Sequence, residues 1–257
     1  MVPMRTFEIA GRTVARVGLG TNRLTDTIPN RDFLRDAVEA GLGFIDTAHL
    51  YTDGSSEAAI GAALAPFPEE IVVATKGGYR SNAPERVRAE IESSLERLRA
   101  ETIDLWYLHR VNDDAPLEAT MELVAGYVEE GRIAHVGLSE VGVEEIEAAR
   151  KIAPIAAVQN EYGLGERKHD EVIDHCETHG IVFVPFFPLA GGETDDLTEI
   201  AGRHDATASQ IRLAWLLHRS PIVAPIPGTL SLAHLRDNLA ATEIELSPEE
   251  IEALGAR

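Results

Sequence analysis

The stretch "FIDTAHLY", residues 44–51, begins as an apolar strand and ends by placing Asp46, His49 and Tyr51 within six positions of one another. One acid in such a place reads as a helix cap. Several polar groups at the end of a buried strand read as a site, provided the surrounding chain supplies a scaffold and partners.

Outward from this stretch, short β-branched or apolar runs alternate with longer helical patterns, the rhythm of repeated βα units around a parallel sheet. The strand candidates are "VARVGLG" (14–20), "GFIDTA" (43–48), "EIVVATKGG" (70–78), "IDLWYLHR" (103–110), "IAHVGLS" (133–139), "IAAVQNE" (155–161), "IVFVPFFP" (181–188) and "PIVAPIPG" (221–228). Helical patterns follow at 31–40, 57–65, 84–99, 117–130, 143–152, 168–179, 208–218 and 232–240. Eight strands, each followed by a helix, in 257 residues match the size and count of a (β/α)8 TIM barrel. No Pro-, Gly- or Ser-rich linker divides the chain, so residues 1–257 read as one domain. The opening "RTFEIAGRTVARVGLG" (5–20) has strand, turn and strand character and predicts an N-terminal β-hairpin covering the barrel bottom.

Composition excludes several function classes. A formal charge of −20 opposes binding to phosphate backbones and anionic bilayers. "MVPMRTFEIAGRT" (1–13) reaches a charge and a glycine before any apolar run, and no apolar stretch approaches a membrane span, so neither a leader nor a transmembrane helix is expected. The single cysteine, Cys176, rules out an internal disulfide framework and a cysteine zinc cage, and suggests a reducing cytoplasm. The histidines outside the strand ends read as solvated or capping groups, and no pair joins a third ligand at a strand end, so no metal is expected. Nothing in the sequence specifies an assembly.

In a (β/α)8 barrel the chemistry sits at the carboxyl ends of the strands. Those ends carry Asp46 with His49 and Tyr51, then Lys76, His109 with Arg110, Ser139, and Gln159 with Asn160 and Tyr162. Each alone has a bland reading as cap, rim aromatic, surface ion pair or core histidine. Together, Asp46, Tyr51, Lys76 and His109 describe a coupled acid. A phenol near pKa 10 becomes useful at neutral pH when an ammonium stabilises its anion. Asp46 would hold Lys76 charged, and His109 would hydrogen-bond a substrate oxygen. Such a constellation suits carbonyl reduction.

At this point the chain resembles the aldo-keto reductase superfamily. The resemblance rests on "GLGTNRL" (18–24), "FIDTAHLYTDGSSEAAIG" (44–61), "ATKGG" (74–78), "DLWYLHR" (104–110), "GRIAHVGLSEVGVEEIEAARKIAPIAAVQNEYGL" (131–164) and "PIPGTLSLAHLRDNLA" (225–240), in order from the first strand to the last helix. It implies a catalytic tetrad of Asp46, Tyr51, Lys76 and His109, with Tyr51 as proton donor to a small aldehyde or ketone. It also implies a nicotinamide nucleotide lying across the barrel mouth. Ser139 and Gln159 match positions that bond its carboxamide, and Phe186 matches the stacking aromatic, with Pro188 and Leu189 beside it. Gly20 and Thr21 fall on the first strand's loop, while Gly228, Thr229, Ser231, His234 and Asn238 fall on the block that meets the adenosine end. Relatives that prefer NADPH place basic residues in this block. Gly228, Leu230 and His234 stand there in this chain, so the resemblance implies only a weak preference for NADPH, with NADH usable.

Gly18 and Gly20 do not make a dinucleotide-binding turn, since no third glycine and no immediate helix follow. Gly20 is expected where backbone approaches cofactor or substrate closely. The loop continues through Arg23, Thr27 and Pro29 before Asn30 offers a helix cap. Glu140 replaces the Asn common in relatives, an anion unable to donate to the carboxamide oxygen. Phe186 keeps the ring face without a hydroxyl. The loop after "FFPLAGG" is short, and "SPEEIEALGAR" extends no tail over the pocket, so an open site is expected. Two other classes fit parts of the pattern: a Schiff-base lyase using Lys76 as nucleophile, and a non-catalytic nucleotide-binding or regulatory subunit.

Overall fold

Ala10 and Gly11 both adopt left-handed backbone, with φ of 49° and 72°, the two-residue turn whose twist matches that of the strands it joins. In the computed structural model, which describes residues 6–192 and 194–255, this turn pairs β1 (Thr6–Ile9) antiparallel with β2 (Arg12–Ala15). Residues 1–5, which include Arg5 of the expected hairpin and the first residues read for a leader, and Glu193 lie outside the described residues. Phe7, Ile9 and Val14 share one core cluster with Phe44, Val72, Leu105 and Val182. Phe44 and Val72 open their strands, so the hairpin plugs the amino-terminal end of the barrel, as expected.

The run 14–20 is therefore divided. Its first residues finish the hairpin, and only β3 (Leu19–Gly20) enters the barrel. β3 is followed in the sheet, in chain order, by β4 (Phe44–Asp46), β5 (Val72–Gly77), β6 (Ile103–Leu108), β7 (Ile133–Ser139), β8 (Ile155–Gln159) and β9 (Val182–Phe183), and every pairing is parallel. All six residues of β5 are buried, because a barrel strand faces packed side chains inside and helices outside.

The eighth strand has no regular ladder, and its sequence explains why. In "PIVAPIPG" the residues Pro225 and Pro227 have no N–H to give. Their carbonyls still accept from Gly18 N at 2.9 Å and Gly20 N at 3.2 Å. On the other side Ala224 N donates to Phe183 O at 2.9 Å and Ile226 N to Pro185 O at 3.3 Å. Isolated parallel bridges join Gly20 to Gly228 and Phe183 to Val223. The segment thus closes β9 onto β3 with half the usual donors, and the (β/α)8 barrel is complete.

Outside the sheet run α1 (Ile28–Glu39), α2 (Ser55–Leu64), α3 (Pro84–Leu98), α4 (Leu117–Glu129), α5 (Val143–Arg150), α6 (Asp170–His179), α7 (Asp195–Arg203), α8 (Ala208–Arg219), α9 (Leu232–Ala240) and α10 (Pro248–Gly255). α1 starts ahead of the expected position. Thr27, not Asn30, caps it by accepting from Asn30 N at 3.4 Å, with Pro29 in the first turn. α7 and α10 were not expected from sequence. Both are short and acidic at their starts, and each is held by one hydroxyl cap, Thr194 for Leu197 N and Ser247 for Glu250 N. Among the described residues no helix is long and apolar enough to cross a membrane.

Candidate active site

The predicted catalytic side chains arrive at the carboxyl rim from three strands, β4, β5 and β6. Asp46 ends β4 and Lys76 is the fifth residue of β5. His109 follows β6, its N–H donating to Gly77 O at 2.7 Å. Tyr51 is set by an unusual turn: Thr52, Asp53 and Gly54 take consecutive positive φ values of 48°, 53° and 84°. Left-handed backbone is unfavourable for a β-branched residue such as Thr52. Its hydroxyl offsets part of this by reaching Leu24 O at 2.7 Å.

The four side chains meet. Lys76 Nζ lies 2.5 Å from Asp46 Oδ1, 2.7 Å from Thr47 O and 3.4 Å from the Tyr51 hydroxyl. Gln159 Nε2 donates to the other oxygen of Asp46 at 2.8 Å. Lys76 is fully buried. Burial alone pulls its pKa down, yet Asp46 and Tyr51 together move it above the usual lysine value, so it is an ammonium. An ammonium beside a phenol acts to bring its pKa down. Burial outweighs Lys76 and Arg110, and Tyr51 lies above the ordinary value. It is therefore a protonated phenol beside a fixed positive charge. His109 is driven to about 2 by burial, then by Lys76 and Arg110, so its ring is neutral at any working pH. The ring meets Tyr51 edge-on at 6.0 Å, and its Nδ1 is buried without a partner among the described residues.

Above these groups opens a cavity of about 720 Å³. Asp46, Tyr51 and His109 form its floor, and Lys76 sits beneath, reaching a smaller cavity of about 260 Å³ on the other side. Ser139, Gln159, Phe186, Pro188 and Leu189 make one wall. Gly20, Thr21, Gly228 and Thr229, from the first and last strands, also line the cavity. Ser231, His234 and Asn238 do not line it. Ser231 caps α9 by accepting from His234 N at 3.4 Å, His234 is exposed, and Asn238 is buried within α9.

Gly20, Glu140 and His49 each have a local place in the fold. A Cβ on Gly20 would lie 2.8 Å from Ile226 O, so the close approach there is that of the eighth strand, and the glycine serves barrel closure. Glu140 does not reach toward the cavity. It sits in left-handed backbone at φ 55° and accepts from Glu161 N at 2.7 Å. His49 lines the smaller cavity with Lys76 and Glu90.

Arg110 was noted only as a strand end, without a role. It lines the large cavity, donates to Ser139 Oγ at 3.3 Å, and holds its guanidinium 5.4 Å from the Tyr79 ring and 5.9 Å from Phe186. Its place directly after His109, at the end of a barrel strand, was the signal available.

A buried Lys–Asp pair, a tyrosine and a neutral histidine thus meet at the carboxyl rim of a barrel, beneath an aromatic-walled cleft. The model of the aldo/keto reductase family matches residues 16–196 and 193–256, and this chain belongs to that family. An uncharacterised oxidoreductase of Schizosaccharomyces pombe is 36% identical over 95% of this chain and 87% of its own length. Pyridoxine 4-dehydrogenase of Escherichia coli is 34% identical over 97% of this chain and 96% of its own. Among solved structures, an aldo/keto reductase from Klebsiella pneumoniae in complex with NADP and acetate superposes with a TM-score of 0.88 at 30% identity, covering 98% of this chain and 94% of that one.

Proposed function

We propose that this chain reduces an aldehyde or ketone to the alcohol at the expense of a nicotinamide nucleotide, with Tyr51 as general acid. The carrying observation is the Tyr51 hydroxyl at 3.4 Å from the buried Lys76 ammonium, on the floor of the cleft. Similarity to a protein crystallised with NADP and to a pyridoxine dehydrogenase supports the same reading.

The wall of the cleft fits the nucleotide. A carboxamide needs one acceptor and one donor. Gln159 gives one amide N–H to Asp46 and keeps its Oε1 to accept, and Ser139 carries a hydroxyl to donate. Phe186 offers a ring face on the same wall. The nucleotide, when bound, supplies hydride to the carbonyl carbon. The protein's part is the proton. Tyr51 gives its hydroxyl hydrogen to the carbonyl oxygen, and Lys76 stabilises the phenolate as it forms, because the charge is already in place and no solvent must reorganise. Asp46 and Thr47 O hold that ammonium in position. His109, being neutral, hydrogen-bonds the substrate oxygen and does not compete for the proton.

A Schiff-base role for Lys76 needs a free amine, whereas its partners hold it charged. A purely regulatory subunit has no use for an aligned proton donor. The test is NADPH consumption with a panel of aldehydes and ketones. Carbonyl-dependent oxidation of NADPH, lost in Tyr51→Phe with nucleotide affinity retained, is the expected result. Borohydride labelling of Lys76 by a carbonyl in the absence of nucleotide would replace this reading with the lyase.

A further inference from the structure

On the outer surface, in the seam between α5 and α6, three metal-binding side chains meet: Glu147 of α5 with His175 and His179 of α6. One donor atom from each lies within 4.8 Å of the other two. The sequence reading set both histidines aside because neither joined a third ligand at a strand end. That ligand comes from a neighbouring helix, which spacing within one segment does not reveal.

The local geometry is that of a ligand set. His175 and His179 are four apart on one helix, so they share a face, and their ring centroids are 4.2 Å apart. His175 Nε2 stands 3.1 Å from Glu147 Oε1. Two ligands bound at about 2.0–2.1 Å in a tetrahedron are separated by about 3.3 Å, so this pair needs little adjustment. His179 Nδ1 is 2.9 Å from His175 O. A carbonyl only accepts, so Nδ1 carries the proton, and in the neutral ring Nε2 keeps its lone pair. A backbone carbonyl holding the second ring nitrogen is how metal-ligating histidines are oriented. Glu147 is ionised: the hydrogen bond from Arg150 is the chief cause of a carboxyl pKa below the usual range, and His175 adds to it. None of the three lines either cavity at the barrel mouth.

We propose that Glu147, His175 and His179 form a binding site for a zinc-class divalent ion, with water as fourth ligand, fastening α5 to α6. Two imidazoles and one carboxylate suit a borderline ion, whereas calcium and magnesium take oxygen ligands. On binding, Glu147 exchanges part of its contact with Arg150 for the metal.

The test uses full-length protein freed of metal by chelator and dialysis. Titration with zinc chloride in a non-coordinating buffer, followed by calorimetry, is expected to show one ion per chain. Zinc at a hundredfold excess over Kd should raise Tm by about 5–10 °C. His179→Gln and Glu147→Gln should each weaken binding by about tenfold or more while leaving the metal-free Tm unchanged. If either variant is destabilised without metal, cobalt(II) added to the wild type decides instead: an intense tetrahedral visible band supports the site, and a weak octahedral spectrum overturns it. Absence of saturable zinc binding, or undiminished affinity in both variants, also overturns it.

Discussion

Tyr51 and Lys76 make sense only as a unit, because the phenol's usefulness lies in how its anion is received. Tyr51→Phe should lower kcat by about 10²–10⁴-fold, and Lys76→Met by a similar amount. The double variant should be no slower than the worse single one, since each change removes the same stabilised proton transfer. Losses that multiply would mean the two act independently. The pH dependence follows from the same groups. Reduction needs Tyr51 protonated, and its pKa lies above the ordinary phenol value, so the donor is lost only as pH rises through that high value. His109, at about 2, contributes no limb near neutrality. The reductive kcat should stay flat between about pH 6 and 9 and fall at higher pH, while oxidation of the alcohol, which needs the phenolate, rises over the alkaline range. An inflection near pH 6.5 would show that His109 ionises in the cycle. That Asp46, Lys76 and His109 would meet was legible because a strand-end residue needs only its strand to be placed, whereas Tyr51 depends on the turn that follows β4. The net direction of the Tyr51 shift was not legible, since it depends on burial that sequence does not state. The partner of Glu140 was not legible for a similar reason: a left-handed backbone at the end of β7 turns its side chain to Glu161 N.

Among the elements, the eighth strand is where sequence and structure diverge most instructively. Its apolar run was readable, but Pro225 and Pro227 deprive it of ladder donors, and something else must hold it. Arg16 does so. Only 1% exposed, it donates to Leu217 O at 3.1 Å, Ser220 O at 2.8 Å and Val223 O at 3.0 Å, tying the end of α8 and the start of the last strand to the chain between hairpin and barrel. Burial lowers its pKa to about 10, so it stays charged across the working range. Arg16→Met should cost about 2–4 kcal/mol, because buried carbonyls lose their donors while a buried charge is also removed. The expected signature is a lower urea midpoint with faster hydrogen exchange at Ala224 and Ile226. An unchanged midpoint would show that packing alone closes the barrel. Helices α7 and α10 escaped the sequence reading because each is short and buries few residues, among them only Leu254 in α10. The hairpin was legible because Ala10-Gly11 states its own turn.

For the whole molecule the decisive quantity is a charge of −20 facing an anionic nucleotide. The 2′-phosphate of NADPH adds about 1.5–2 negative charges. Near the loop that would meet it, Gly228 and Leu230 are uncharged, His234 and Arg236 are exposed, and the Thr229 and Ser231 oxygens already accept from Ser231 N and His234 N. What remain are the hydroxyl hydrogens of Thr229 and Ser231 and the amino end of α9, the latter worth about 0.3–1 kcal/mol, against roughly 1.5–3 for a missing charge-assisted bond. The preference for NADPH over NADH should therefore stay below about 100-fold in kcat/KM, equivalent to under ~3 kcal/mol. Salt supplies the sharper test, because the two fields act at different ranges. Repulsion by the whole surface is long-ranged and is screened once the Debye length falls to about 10 Å near 0.1 M, whereas the helix terminus acts at contact. Raising ionic strength from about 0.02 to 0.2 M should lower KM for NADPH more than KM for NADH, whose pyrophosphate is repelled by the same field with fewer charges, and so raise the ratio by a fewfold. Parallel steady-state assays across that range decide the matter. A ratio that falls with salt would reveal a local cationic clamp; Arg236→Ala would then identify it by weakening NADPH alone, and a ratio in the thousands at any salt would refute the balance drawn from these residues.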